Sequence, residues 1–324
     1  MKLTPGKLAG MKAVSYSRGI IAAVAMDQRG SLRKALGSNV SENVLSEFKL
    51  AVAEILTPHA SAILLDPEFG LPALKARAKN SGVLLAYEKT GYDKADPGRL
   101  PDLLDDWSVR RLKEAGADCV KILLYYTPFA SKEVNDIKHA WVERVGDECR
   151  SNDIPFFLEL LGYDEDVDEK TFEFAKKKPQ IVKAYVSEFT QGRYSIDALK
   201  IEMPINMKHV EGTESFGGQK AYSREEAKHL LFDACAAATI PFIYLSGGVS
   251  NAEFSESLAL AAEAGVKFSG VLCGRATWRD GIRIYGENGN EAFRKWLSTE
   301  GIKNVENINQ SLQAATSWCS FYTS

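Results

Sequence analysis

The chain alternates between two kinds of segment. Short, almost unbroken apolar runs recur, and each is followed by a longer stretch whose apolar positions return every three or four residues. The runs are "IIAAVAMDQ" (20–28), "SAILLDP" (61–67), "GVLLAYE" (82–88), "CVKILLYY" (119–126), "PFFLELL" (155–161), "ALKIEMP" (198–204), "PFIYLSGG" (241–248) and "FSGVLCGR" (268–275). Continuous apolarity over such lengths predicts strands buried on both faces, as in a parallel sheet. The stretches between them predict helices, among them residues 99–118 and 221–240, with proline, glycine and aspartate at most junctions. Eight strand–helix units over this length predict an α/β fold made of one (β/α)8 barrel. The expected layout is a single domain over 1–324. Its barrel core runs from about 19 to 280, followed by a helical segment over about 289–318 with helices near 289–299 and 303–317. An open doubly wound sheet is the other arrangement to weigh. No G-x-G-x-x-G opens a helix and no G-x-x-x-x-G-K is present, which counts against it.

Composition narrows the function without naming it. The 324 residues are 45% hydrophobic and 26% charged with a formal net charge of -3, an ordinary globular balance. A slightly acidic chain has no general attraction for nucleic acid or anionic membranes, so an anionic ligand would need local basic groups. Five cysteines, none in a C-x-x-C pair, suit a reduced cytoplasmic protein. The first residues lack the apolar core of a signal peptide, and no run approaches the ~20 apolar residues of a membrane span.

Three of the apolar runs carry charges inside them. Lys121, Glu159 and Lys200 interrupt the fourth, fifth and sixth strands, which are neighbours in a barrel. A buried charge costs several kcal/mol unless it is paired or used. A buried ion-pair network would explain the three residues structurally, yet apolar substitutes would serve a scaffold as well or better. Chemistry explains them more directly. A lysine amine that has lost its proton, as desolvation and a neighbouring cation favour, attacks a ketone and forms a Schiff base. Lys200 is the candidate nucleophile, Glu159 the proton shuttle and Lys121 the second cation. This set fits carbon–carbon cleavage of a ketose by a metal-free class I aldolase.

Function in a barrel collects at the carboxyl ends of the strands. Those ends offer Asp27, Gln28 and Arg29 after the first, Asp66 after the second, Glu88 after the third, Ser246, Gly247 and Gly248 after the seventh, and Gly274 with Arg275 after the eighth. An isolated strand-end acid such as Asp66 or Glu88 is as often a loop cap as a functional group. The "SGG" turn precedes Ser250 and Glu253, spaced as a helix capping box, so free backbone amides and Arg275 are expected to form a phosphate site. The four histidines are scattered, and no metal site or cofactor is expected.

"MDQRGSLRKAL", "ASAILLDPEFGLPA", "LLAYEKTGYD", "RRLKEAGADCVKILLYY", "LKIEMPINMKHVEG", "IYLSGGVS" and "GVLCGRATW" resemble, in this order, the bacterial class I tagatose-1,6-bisphosphate aldolases. The resemblance implies that Lys200 is the Schiff-base lysine, Glu159 the acid/base and Lys121 an active-site lysine. It also implies that Asp27, Gln28 and Arg29 meet substrate and that Ser246 and Arg275 bind phosphate. The implied reaction converts D-tagatose 1,6-bisphosphate reversibly into dihydroxyacetone phosphate and glyceraldehyde 3-phosphate without metal, in lactose and galactose catabolism. The implied partner is a phosphorylated ketose, and a homo-oligomer is compatible with it. "IEMP" is also similar to the 6-deoxy-6-sulfofructose-1-phosphate aldolases, while residues 211–222 and the tail "TSWCSFYTS" depart from the pattern. A phosphosugar isomerase or epimerase, or a non-catalytic phosphosugar sensor, are the remaining readings.

Overall fold

The computed structural model describes residues 2–37, 39–89 and 97–323. Eight parallel strands fall on the eight apolar runs: β1 (Ile21–Met26), β2 (Ala62–Leu65), β3 (Gly82–Ala86), β4 (Cys119–Tyr126), β5 (Phe156–Gly162), β6 (Ala198–Glu202), β7 (Phe242–Leu245) and β8 (Gly270–Cys273). Each pairs with its neighbours in sequence, and β1 pairs with β8, so the sheet closes into a barrel. Helices connect successive strands and pack on the outside.

Alternation along each strand divides the core in two. Ile21, Ala23 and Ala25 of β1, Leu64 of β2, Leu84 of β3 and Phe157 of β5 point inward and fill the barrel with mixed small and large side chains. The intervening residues, such as Val24, Ile63 and Leu158, face the surrounding helices in a second, larger cluster. The barrel floor is closed by the helix Pro5–Ala13 through Met11, by Val14, and by Trp318 near the carboxyl terminus. Trp318 Nε1 donates to Ser15 Oγ at 2.9 Å, and Tyr322 Oη donates to the Asp197 carbonyl at 2.6 Å, so both chain ends meet there.

Three expected helices are shorter than their apolar period suggests, residues 221–240 giving only Arg224–Cys235. Of residues 99–118 only Val109–Glu114 is helical, capped by the Ser108 hydroxyl. Pro101 disfavours helical backbone at Leu100, Arg99 has a positive φ of 43°, and Lys89 draws Asp102 and Asp105 into ion pairs. The carboxyl-terminal segment runs as Gly281–Trp296, broken at Gly289 (φ 77°), then a π turn and Ile302–Gln310. It therefore stops short of the expected 317. The departing segment 211–222 lies in the excursion after β6, where Val210–Glu211 and Tyr222–Ser223 pair as a short ribbon.

Closure depends on one glycine. Gly270 pairs with Ile21 at a φ of 135°, and a Cβ there would lie 1.8 Å from the Ile21 carbonyl oxygen. Only glycine accepts both the dihedral and the approach. Gly270→Ala is expected to lower the unfolding free energy by at least the ~1–3 kcal/mol of an overpacked core, read as a reduced midpoint in denaturant. An unchanged midpoint would show that this seam relaxes freely.

Candidate active site

The inward parity that fills the barrel continues upward into charge. After Ala25 the next inward position on the chain is Asp27, after Ala86 it is Glu88, after Cys119 it is Lys121, and after Phe157 it is Glu159. Lys200 follows Ala198 in the same way and lies directly beside Glu159 in strand register. The apolar layers thus give way to a layer of ionisable groups, set inside β4, β5 and β6 and just past the ends of β1 and β3.

Lys121, fully buried, is the hub. Its Nζ lies 2.8 Å from Asp27 Oδ2, 2.8 Å from Glu88 Oε1 and 2.7 Å from Glu159 Oε2. Burial works against its positive charge, but the three carboxylates outweigh that and raise its pKa well above the ordinary lysine value. Lys200, only 3% exposed, contacts the same Glu159 Oε2 through its Nζ at 2.8 Å. One carboxylate oxygen therefore touches both ammonium nitrogens, and neither contact has hydrogen-bond alignment. The expected pairing of two lysines and a glutamate is present, with a difference. Lys121 is not a lone second cation, because three acids already surround it.

Above this layer opens a cavity of about 780 Å³. Asp27, Gln28, Glu88 and Glu159 line it, and Asp27 Oδ1, Gln28 Oε1 and Glu88 Oε2 are buried oxygens with no hydrogen-bond partner among the described residues. Buried acceptors of this kind are costly unless a donor meets them, and the hydroxyls of a polyol are such donors. Burial favours the neutral form of Asp27, yet the Lys121 and Lys200 charges, with Arg29, hold its carboxyl well below the usual carboxylate range. Burial instead dominates at Glu88 and pushes it up, against Lys121 and Arg29.

The loops after β7 and β8 also reach this cavity. Gly247 and Gly248 have positive φ of 60° and 85°, and their amides make no hydrogen bond within the described residues. A Cβ on Gly248 would lie 2.8 Å from Arg275 Cζ, so glycine lets the guanidinium rest against this turn. Arg275 is exposed and has no side-chain partner among the described residues. Ser246 is buried at the rim, and Ser250 caps the helix Asn251–Glu263 through the Glu253 amide, without the reciprocal half of the expected box. Gly274 approaches Gln28, its would-be Cβ 3.2 Å from Gln28 Nε2.

Arg29 is less available than expected. It is 4% exposed, pairs with Glu68, and donates to the Glu88 carbonyl at 2.8 Å, leaving Nε as its nitrogen without a partner among the described residues. Asp66 is not among the residues lining the cavity; it pairs with Lys49 beneath the end of β1. Glu202 lines the cavity and pairs with Lys178 at 3.1 Å, while accepting from the Gly162 amide at 2.6 Å. Lys178, on the helix Phe172–Phe189, and Lys170 and Lys208, from the connections after β5 and β6, also line the cavity. Glu88 was legible only as a strand-end acid, although its even spacing from Leu84 and Ala86 marks it as inward. Among the described residues no three His, Cys, Asp or Glu side chains are arranged to hold a metal ion, and no helix is long and apolar enough to cross a membrane.

The comparisons with known proteins agree with this layout. Residues 21–280 match the model of the family described as "DeoC/LacD family aldolase". The chain belongs to the DeoC/LacD family of aldolases. Within that family it is 50% identical to the tagatose 1,6-diphosphate aldolase 2 of Enterococcus faecalis, over 98% of this chain and 97% of that protein. It is 48% identical to the tagatose 1,6-diphosphate aldolase of Listeria monocytogenes, over 100% and 97%. A Staphylococcus aureus protein of the same name is 49% identical over 96% and 97%. Fructose-bisphosphate aldolase from Plasmodium falciparum, solved with TRAP and a small-molecule inhibitor, superimposes with a TM-score of 0.66 at 15% identity, over 100% of this chain and 98% of that one. That likeness concerns the fold alone. In the resembling motif "LLAYEKTGYD" the last four residues, Thr90 to Asp93, lie outside the described residues.

The charge layer of this aldolase has a pH signature. The depressed Asp27 pKa contributes stability that is complete above the ordinary carboxylate value of about 3.9. That stability is lost as pH falls toward the lower folded value. Below a pH of about 4 the unfolding midpoint of the wild-type protein is expected to fall more steeply than that of Asp27→Asn. Parallel slopes in thermal melts across this range would remove Asp27 as a stabilising anion.

Proposed function

We propose that the protein is a class I aldolase that cleaves D-tagatose 1,6-bisphosphate reversibly to dihydroxyacetone phosphate and D-glyceraldehyde 3-phosphate, in the cytoplasm. The observation that carries this reading is the single Glu159 oxygen in contact with both Lys200 and Lys121 beneath the cavity. Three relatives of about half-identical sequence bear the corresponding name. Five free cysteines, four of them buried, suit the compartment.

Glu159 takes a proton from the Lys200 ammonium, and the free amine attacks the ketose carbonyl carbon, C2. The carbinolamine loses water as Glu159 returns a proton to the departing hydroxyl. In the resulting iminium, Glu159 removes the C4 hydroxyl proton, the C3–C4 bond breaks, and its electron pair flows into the nitrogen to give an enamine. The aldehyde departs as glyceraldehyde 3-phosphate. Protonation of the enamine at C3 and hydrolysis of the iminium release dihydroxyacetone phosphate and restore the amine. Lys121 holds Asp27, Glu88 and Glu159 in place and stabilises negative charge developing on the substrate oxygens. Asp27, Gln28 and Glu88 accept from the ketose hydroxyls. Ser246, the Gly247 and Gly248 amides, Gly274 and Arg275 hold one phosphate, as a guanidinium beside backbone amides does well. Lys170 and Lys208, exposed at the same cavity, and Arg29 through Nε supply positive charge for the other.

Borohydride reduction with dihydroxyacetone phosphate is expected to fix a three-carbon unit on the peptide containing Lys200, and Lys200→Met is expected to abolish both labelling and cleavage. Label on another lysine, or activity removed by EDTA, would overturn the mechanism. Parallel assays on tagatose, fructose and sulfofructose phosphates test the substrate, tagatose 1,6-bisphosphate giving the highest kcat/KM. Arg275→Ala is expected to raise KM about 10–100-fold, the weight of one to two charge-assisted hydrogen bonds, with a smaller change in kcat.

A further inference from the structure

Lys49 is a buried charge with no place in the mechanism above. It sits in the middle of the helix Glu42–Leu56 and is fully buried there. Its Nζ pairs with Asp66 Oδ2 at 2.6 Å, donates to the Met26 carbonyl at 2.7 Å and donates to the Gln28 carbonyl at 2.8 Å. Those two carbonyls flank Asp27, the residue that meets Lys121. Burial pulls the Lys49 pKa below its ordinary value, opposed chiefly by Asp66. Asp66 in turn is fixed at the end of β2, its other oxygen accepting from the Phe69 amide at 2.8 Å.

A lysine that only needed a partner would be satisfied by Asp66. One that also takes the carbonyls on both sides of Asp27 sets the backbone of that residue. The other side of the strand end is tied as well, since Trp278 Nε1 donates to the Ala25 carbonyl at 2.9 Å. We infer that Lys49, paired with Asp66, is a positioning residue of the active site, which holds the end of β1 so that Asp27 reaches Lys121 and substrate. The inference rests on the aldolase reading, because it gives Asp27 a part in that site. Lys49 never touches the reacting atoms; it acts through Asp27. A purely structural pair would stabilise the fold equally whatever residue stood at 27.

The experiment is a double-mutant cycle. Lys49→Met with Asp66→Asn removes both charges together and so avoids stranding one of them. The same pair is made in the Asp27→Asn background. Each protein is measured for kcat and KM with tagatose 1,6-bisphosphate, and for the affinity of dihydroxyacetone phosphate by calorimetry, which needs no cleavage. In the wild-type background the pair is expected to lower kcat/KM up to about 100-fold, as small misplacements do, mostly through kcat. In the Asp27→Asn background the same change is expected to cost little more, in activity or in affinity. Lys49→Gln with Asp66→Asn keeps amide donors for the carbonyls and is expected to recover part of the loss; it carries the cycle if the methionine variant does not fold. Equal losses in both backgrounds, or no loss at all, would overturn the positioning role. Absence of cleavage in the wild-type protein would instead overturn the aldolase reading, and the affinity cycle would still decide the role of Lys49.

Discussion

A single ammonium group with three carboxylates around it sets the terms for the upper half of this barrel. Lys121 brings together acids from just past the ends of β1 and β3 and from within β5, strands that are far apart in sequence. In a low-dielectric interior three such acids repel one another strongly, and each would lose its charge to burial without a cation between them. The lysine makes their convergence possible, and their convergence holds the lysine in its charged form. Glu159 is the member of this group that also reaches Lys200. The group is therefore both a structural knot and the setting in which a neighbouring amine can exchange protons.

That setting is kept in place by apolar packing around it. Small inward residues on β1, such as Ala23 and Ala25, leave room for Leu64, Leu84 and Phe157 from other strands, which fill the barrel up to the charged layer. On the outside, Phe48 stacks on Phe293 with ring centroids 4.2 Å apart and meets Trp278 edge-on at 5.8 Å. The carboxyl-terminal helices thereby brace the helix that carries Lys49. They belong to the support of the site, although they lie beyond the eighth strand.

Much of this is legible in the sequence. Continuous apolar runs mark strands buried on both faces, and eight of them in series leave few folds to choose from. A charge inside such a run must be paired or used, which is why Lys121, Glu159 and Lys200 stood out. Lys49 was equally buried and went unseen, because a lysine in a helix usually faces water. Its spacing from Leu45 and Val52 places it on the apolar stripe of that helix, and that was the available signal. Helical period misled over residues 99–108, where ion pairs to Lys89 and the proline won over local preference. The commitment of Arg29 to Glu68 and Glu88 depends on contacts between loops of different strands, which no local pattern encodes.

The sealed floor bears on how the chain is made. Met11 near the start and Trp318 near the end share one inner cluster, and Tyr322 reaches the carbonyl of Asp197, three residues before the candidate nucleophile. Contacts of such large sequence separation form late, since the loop they close spans nearly the whole chain. During synthesis the first helix must wait for residues made after all eight strands. Until they arrive, the apolar interior below Lys200 is open to water at its base, and the nascent enzyme depends on the solubility of an unfinished barrel.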